Sequence, residues 1–440
     1  MVLERSIAKF EAFLKGMVFD CKSCGQCVLA KTELICPMTC PKGLRNGPCG
    51  GTTDEKCEVY PDKSCTWVRI LKKRNLSNKY NSNNCIASPD PSLFHSSSLL
   101  NRLSNKDVAA KEFLPPLELP KDKKFLGLQT ESLLELRLKT GKFIHTCEIR
   151  APREATYKTV HRDIKYLKDE FDAVNATAYL NGTPSLPSTK VAAEIRRLGV
   201  ESISQSTCRD LTKTSFIAEL LENMMNGVNN QLCLTGDAYA GNPKIKQVFD
   251  MDSSLMLYEA RYLRENGVIN FTKQKLKKIP KPFLGAAINP FSKPDFVPLQ
   301  RLKQKIATGA DFIQTQLILD IETFKSFMEK VCIEKLDREI FILAGIPVII
   351  SKTAFNMLPK IPGVVLPQHI KERFEQCSDI KAEGIKFAKE LLLSCKKIKG
   401  VSGVHLMLFG SDHSVLPEVI RKEEIKSSVK QNKEKTYVTS

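Results

Sequence analysis

Eight of the 15 cysteines fall in one short stretch: Cys21, Cys24, Cys27, Cys36, Cys40, Cys49, Cys57 and Cys65. The first residues, MVLERSIAKFEAFLKGMVFDC, carry Glu4, Glu11 and Asp20 among apolar neighbours and do not read as an export signal. Clustered thiols in such a chain point to metal ligation rather than to a disulfide framework. The C-x2-C-x2-C run at Cys21, Cys24 and Cys27 opens like an iron–sulfur ligand set, and paired cysteines also suit tetrahedral zinc. Eight thiolates suffice for two four-ligand sites. The reading favours a [4Fe–4S] cluster, with zinc as the alternative.

A second group lies at the ends of apolar runs. Glu148 stands in TCEIRAP and Asp237 in LCLTGD, with the amides of Asn289 and Gln316 at comparable places. Two carboxylates and two amides at one mouth would protonate and orient a polar heterocycle. Cys208 in STCRD is expected to pack rather than attack, and His145, inside its apolar run, to be a satisfied core histidine. With no histidine expected at a strand tip, a Ser–His–Asp or Cys–His scheme has little support.

These residues need a scaffold. Strand-like runs begin near 143, 172, 201, 231, 282, 312, 340 and 401, separated by segments such as TKVAAEIRRLGV and FKSFMEKVCIEKL with helical spacing. Eight strand–helix repeats predict a (β/α)8 barrel, an α/β fold whose chemistry sits at the C-terminal strand ends. An open doubly wound sheet would carry a G-x-G-x-x-G or a G-x-x-x-x-G-K-[ST], and neither occurs. The expected organisation is a cysteine-rich metal-binding module at 1–70, a connector at 71–134 with one short helix, the barrel at 135–420 and a frayed basic tail at 421–440. Trp67, the single tryptophan, is expected to pack against the module or its neighbour.

Composition narrows the rest. The 440 residues are 42% apolar and 26% charged, which excludes a disordered or collagen-like chain. No apolar run is long enough to cross a bilayer, so a cytoplasmic protein is expected. The net charge of +18 is spread along the chain and suits acidic small ligands such as nucleotides or polyglutamates. No nucleic-acid-binding motif declares itself. A homo-oligomer, or a complex with a partner subunit, is the default expectation.

At TCEIRAP, VNATA, STCRD, LCLTGD, VFDMDS and TQLILD, residues 135–420 resemble the methylenetetrahydrofolate reductase family. Through CGQC, CPKGLRNGPCGG and CEVYPDKSCTW, residues 1–70 resemble the cysteine-rich domain that accompanies these reductases in some bacteria. The resemblance implies a flavin-bearing barrel that interconverts 5,10-methylenetetrahydrofolate and 5-methyltetrahydrofolate, with NAD(P)H or a ferredoxin-type protein as electron donor. It implies Glu148 as the general acid, its carboxyl raised by burial, Asp237 beside flavin and pterin, and Gln316 on the pterin edge. FAD contacts fall on Asn175, Gln205, Thr235, Gly236, Asp237, Phe249, Asp250, Ile288 and Lys305, the lysine facing the pyrophosphate. The family often has Arg, His and Tyr where this chain has Thr235, Gln205 and Ile288, which leaves FMN open as the flavin. A pterin-binding methyltransferase without flavin, or a metal-bearing scaffold subunit, are the other readings.

Overall fold

A computed structural model describes residues 2–76, 85–104, 114, 117–180, 182–239 and 244–421. The expected tail therefore lies almost wholly outside the described residues, as does part of the connector.

Eight parallel strands close into a barrel in sequence order. They are β1 (Ile144–Ile149), β2 (Ala173–Ala176), β3 (Ser202–Thr207), β4 (Asn230–Leu234), β5 (Phe283–Ile288), β6 (Phe312–Leu317), β7 (Phe341–Ile349) and β8 (Val401–Phe409). The (β/α)8 architecture is the expected one. Alternation along each strand sorts the side chains: on β8, Val404, Leu406 and Leu408 pack outward into the layer shared with the helices, and His405 and Met407 turn into the barrel.

The barrel floor is apolar. Ile144, Ala173, Ile203, Leu232, Phe283, Phe312 and Phe341 fill it, and Leu134 and Leu138 from the helix Leu133–Lys139 plug its N-terminal end. Ser132 caps that helix on the Glu135 amide, and Glu135 receives the amides of Gln129 and Thr130. One layer higher the interior becomes polar. Asn175 Nδ2 donates to Gln314 Oε1 at 2.8 Å, Gln314 Nε2 lies 3.4 Å from His405 Nδ1, and Thr146 Oγ1 lies 3.0 Å from the same nitrogen. An apolar floor under a polar tier is what a barrel builds when its upper end must hold a ligand.

Between its two α-helices the cysteine-rich module is made of turns and two single-turn 3-10 helices. Between the helices Val2–Phe19 and Thr66–Leu76, Ser23, Glu33, Leu34, Asp54 and Glu55 all adopt positive φ. Its own core gathers Ile35, Leu44, Cys65, Trp67, Val68 and Ile70. Trp67 is 2% exposed, and its indole N–H donates to the Leu44 carbonyl at 2.8 Å. The module does not stand apart from the barrel. Asn46 Nδ2 donates to Asp252 Oδ2 at 2.8 Å, the carboxylate that also caps the helix Ser253–Asn266. Arg301, from the helix after β5, donates to the Asn46 carbonyl at 2.5 Å. The chain between module and barrel holds the short helix Ser98–Leu103, as expected, and Cys85 is fully buried in the barrel's outer core.

Candidate active site at the barrel mouth

A cavity of about 270 Å³ opens at the C-terminal strand ends. Glu148, Gln205, Thr235, Gly236, Asp237, Ile288, Lys305 and Gln316 all line it. Asn175, Phe249 and Asp250 do not. Asn175 lies beneath, tied to Gln314; Phe249 packs on the module's core; Asp250 accepts the Lys213 amide at 2.9 Å.

Glu148 projects from the end of β1 with its side chain 28% exposed, the accessible part facing the cavity. Gln205 Nε2 lies 3.5 Å from its Oε2, and His405 Nε2 lies 3.7 Å from the same oxygen. The Gln314 amide and the Thr146 hydroxyl both approach His405 Nδ1, which leaves Nε2 aimed at Glu148. Burial pushes the Glu148 carboxyl up, but His405 and the Gln205 amide outweigh it and hold the group below the ordinary glutamate range. The expectation of a carboxyl raised by burial is thus reversed, and the reason is a histidine that sequence reading did not place. The strand VSGVHLMLF carried the signal, because alternation from Val404, Leu406 and Leu408 puts His405 on the inner face.

Asp237 follows Gly236, which adopts φ +83° and where a Cβ would stand 2.9 Å from that of Arg209. Only glycine fits there. Asp237 keeps an accessible face toward the cavity. Crowding by protein and the nearby Glu58 carboxylate push its carboxyl up, against Lys42 and Arg209.

Lys305 is 2% exposed, and its ammonium donates to Ser253 Oγ, which in turn meets Thr235 Oγ1 at 2.8 Å. Burial, followed by the charge of Arg301, lowers its pKa to about 7. A buried amine resting on a hydroxyl and facing a cavity suits an anionic ligand group, which would hold its proton. At β6 the ladder to β7 slips between Gln314 and Leu317, so Gln314, Thr315 and Gln316 all reach the cavity. Asn289 also borders it, but its amide donates to the carbonyls of Gly50 and Gly363 at 3.1 and 2.9 Å. It ties loops together rather than presenting a free edge.

The expectation for His145 is corrected, and Cys208 packs as expected. His145 is half-buried on the outer face of β1, its ring 5.8 Å from that of Phe143. Cys208 is fully buried outside the cavity, and burial raises its thiol well above the usual range, so it is no nucleophile.

The eight cysteines do not assemble as two matched sets. Among the described residues, no three His, Cys, Asp or Glu side chains converge as a metal-ligand group. Cys21, Cys24, Cys27 and Cys36 do border one cavity of about 30 Å³. Cys21 and Cys36 share a hydrogen bond that lowers the first thiol and raises the second. Of the other four, Cys40, Cys49 and Cys65 meet the module's core, and Cys49 turns to the barrel mouth, where its thiol donates to Glu58 Oε2 at 3.1 Å. Buried turns, not ligand spacing, set where these thiols point.

The sequence pattern of the family described as methylenetetrahydrofolate reductase matches residues 133–422, and that described as methylene-tetrahydrofolate reductase C terminal matches residues 2–91. Methylenetetrahydrofolate reductase 2 of Saccharomyces cerevisiae is 25% identical over 267 residues, 57% of this chain and 41% of the yeast protein. Methylenetetrahydrofolate reductase (NADH) 1 of Arabidopsis thaliana is 26% identical over 238 residues, 49% of this chain and 37% of the plant protein. The chain thus spans about two-fifths of the length of these curated relatives. A solved structure, an uncharacterized protein from Clostridium thermocellum that binds two copies of 5-methyl-5,6,7,8-tetrahydrofolic acid, aligns over 65% of this chain and 97% of its own. Its TM-score is 0.46 at 16% identity. With the family pattern running through all eight strands, this chain belongs to the methylenetetrahydrofolate reductase family.

Proposed function

We propose that the chain is a flavin-dependent oxidoreductase of one-carbon metabolism that interconverts 5,10-methylenetetrahydrofolate and 5-methyltetrahydrofolate. One observation carries the reading: Glu148 and Asp237, from β1 and the loop after β4, enter a single cavity that also holds the buried ammonium of Lys305. The cavity's volume suits a heterocycle rather than a whole dinucleotide, and Lys305 suits a phosphate at its edge. FAD, when bound, would supply hydride transfer between NAD(P)H and the folate; Thr235, Gly236, Gln205, Ile288 and Lys305 would hold it.

The chain's own residues then do the following. Gln316 orients the pterin edge. Glu148 delivers a proton to the folate nitrogen whose release opens the five-membered ring. His405 Nε2 faces the Glu148 carboxylate between turnovers, while Thr146 and Gln314 fix the ring from below. Asp237 sets the charge beside the flavin and the pterin.

Cys21, Cys24, Cys27 and Cys36 are the set we assign to a metal, iron–sulfur or zinc, and an electron-transfer protein is a donor alternative to NAD(P)H. Residues 1–70 would act as one cysteine-rich unit on a barrel of residues 135–420, in a cytoplasmic protein that associates with itself or with a partner subunit. Among the described residues, no helix is long and apolar enough to cross a membrane.

An absorption spectrum of anaerobically purified protein, with metal analysis of the same sample and an NAD(P)H–methylenetetrahydrofolate assay, tests the reading. A flavin spectrum with turnover is expected. Protein that neither retains nor binds flavin would overturn it in favour of a pterin-binding methyltransferase.

A further inference from the structure

The loop that carries Asp237 is held from outside the barrel. Lys42 and Glu58, both from the cysteine-rich module, form an ion pair at 2.6 Å with side chains only 2% and 4% exposed. Lys42 Nζ also donates to the Gly236 carbonyl at 2.8 Å. Glu58 Oε1 accepts the Ala238 amide at 2.9 Å. The pair therefore grips the backbone on both sides of Asp237, one group before it and one after. From the barrel side, Arg209 donates to the Asp237 carbonyl at 3.1 Å. The approach of Glu58 is itself built in: a Cβ on Gly51 would stand 1.9 Å from Glu58 Oε2.

Such a pair is poor as a source of stability. Taking two charges out of water offsets most of their attraction, so a buried pair is better understood by what it orients. Here the oriented object is one loop at the mouth of the catalytic barrel, and the module's Pro48, Cys49, Gly50 and Gly51 border the same cavity.

We propose that Lys42 and Glu58 are positioning residues of the reductase site, and that the barrel's catalytic loop is complete only with the cysteine-rich module seated on it. The proposal rests on the reductase reading for its kinetic arm and on geometry alone for its structural arm.

The test uses the full chain with Lys42→Met, Glu58→Gln, Lys42→Arg and the charge-neutral double variant Lys42→Met/Glu58→Gln. Hydrogen exchange by mass spectrometry follows the peptide holding Gly236–Ala238, and steady-state kinetics separate kcat from KM. Lys42→Met and Glu58→Gln are expected to speed exchange in that peptide about tenfold and to lower kcat about tenfold, with KM for the nicotinamide changed less than about twofold. Lys42→Arg should recover most of the loss. Lys72→Met, which breaks the exposed pair with Glu55 on the same module, should leave both readouts at wild-type values.

If either single variant fails to fold, the double variant, which buries no lone charge, gives the same reading. Wild-type exchange in a folded double variant overturns the proposal. Faster exchange in the variants, with no reductase activity in the wild type, would leave the clamp standing and sink only the reductase assignment.

Discussion

The two halves of the cavity wall are built on different principles. In the barrel, Glu148, Gln205, Gln314 and His405 hang from paired strands, and the ladder fixes each residue's face and height. In the cysteine-rich module, Lys42, Cys49, Gly50 and Glu58 hang from turns, and single contacts within the module and across to the barrel fix them in place of a ladder. A strand position survives the loss of one contact because its neighbours keep the register. A turn position has no such backup. Substitutions in the barrel should therefore damage chemistry at a preserved site, and substitutions in the module should loosen the site while its chemistry remains possible.

The sharpest test of the barrel half is Glu148→Gln. Removing the acid while keeping the shape is expected to lower kcat by about 10³-fold, with substrate KM changed little; rapid-mixing measurement of folate reduction checks this. An active variant would break the comparison at its strongest point.

Lys305→Met should weaken flavin binding by roughly 30-fold, about 2 kcal/mol, read by fluorescence titration. It also has a pH signature. The folded pKa of about 7 lies below the ordinary lysine value of 10.5, so between them the unfolded chain holds a proton the folded chain lacks. Flavin-free wild type should gain stability from pH 7 toward 10.5 through this residue, and the variant should lose that slope in Tm measurements.

His405→Asn should cost about tenfold in kcat. Without the imidazole, burial of Glu148 goes unopposed and its carboxyl rises, so the limb of the pH–rate profile belonging to that group should move to higher pH. A matching change appears in stability. In wild type, Glu148 contributes stability above its ordinary value of 4.5, lost as pH falls through its lower folded value; the variant should lack that contribution.

The smallest effect sharpens the module half. Cys49→Ser keeps a hydroxyl donor toward Glu58 and should change stability by less than about 1 kcal/mol, with metal content unchanged. Cys24→Ser, at the other cavity, should lower any bound metal.

Much of the barrel was legible beforehand. Its strands begin within one residue of the expected places, at Ile144, Ala173, Ser202, Asn230, Phe283, Phe312, Phe341 and Val401, because alternation and helical spacing are local signals. The polar residues at strand ends followed from the same regularity. His405 was legible too, one alternation step from being placed. The module was not. Its cysteines announced density, but which thiols share a cavity depends on turns whose direction no short pattern encodes.

By itself, then, the sequence determined an eight-fold strand–helix repeat, the residues at its catalytic end, and a cysteine-rich segment before it. Only the tertiary structure decided that Glu148 is held low by His405, that Lys305 is buried rather than solvated, and that Lys42 and Glu58 reach across to grip the loop around Asp237. The physical reason is range. Periodicity is written in neighbours a few positions apart, whereas a pKa or a clamp is set by charges and hydrogen bonds between residues up to nearly 260 positions apart, which no local pattern records.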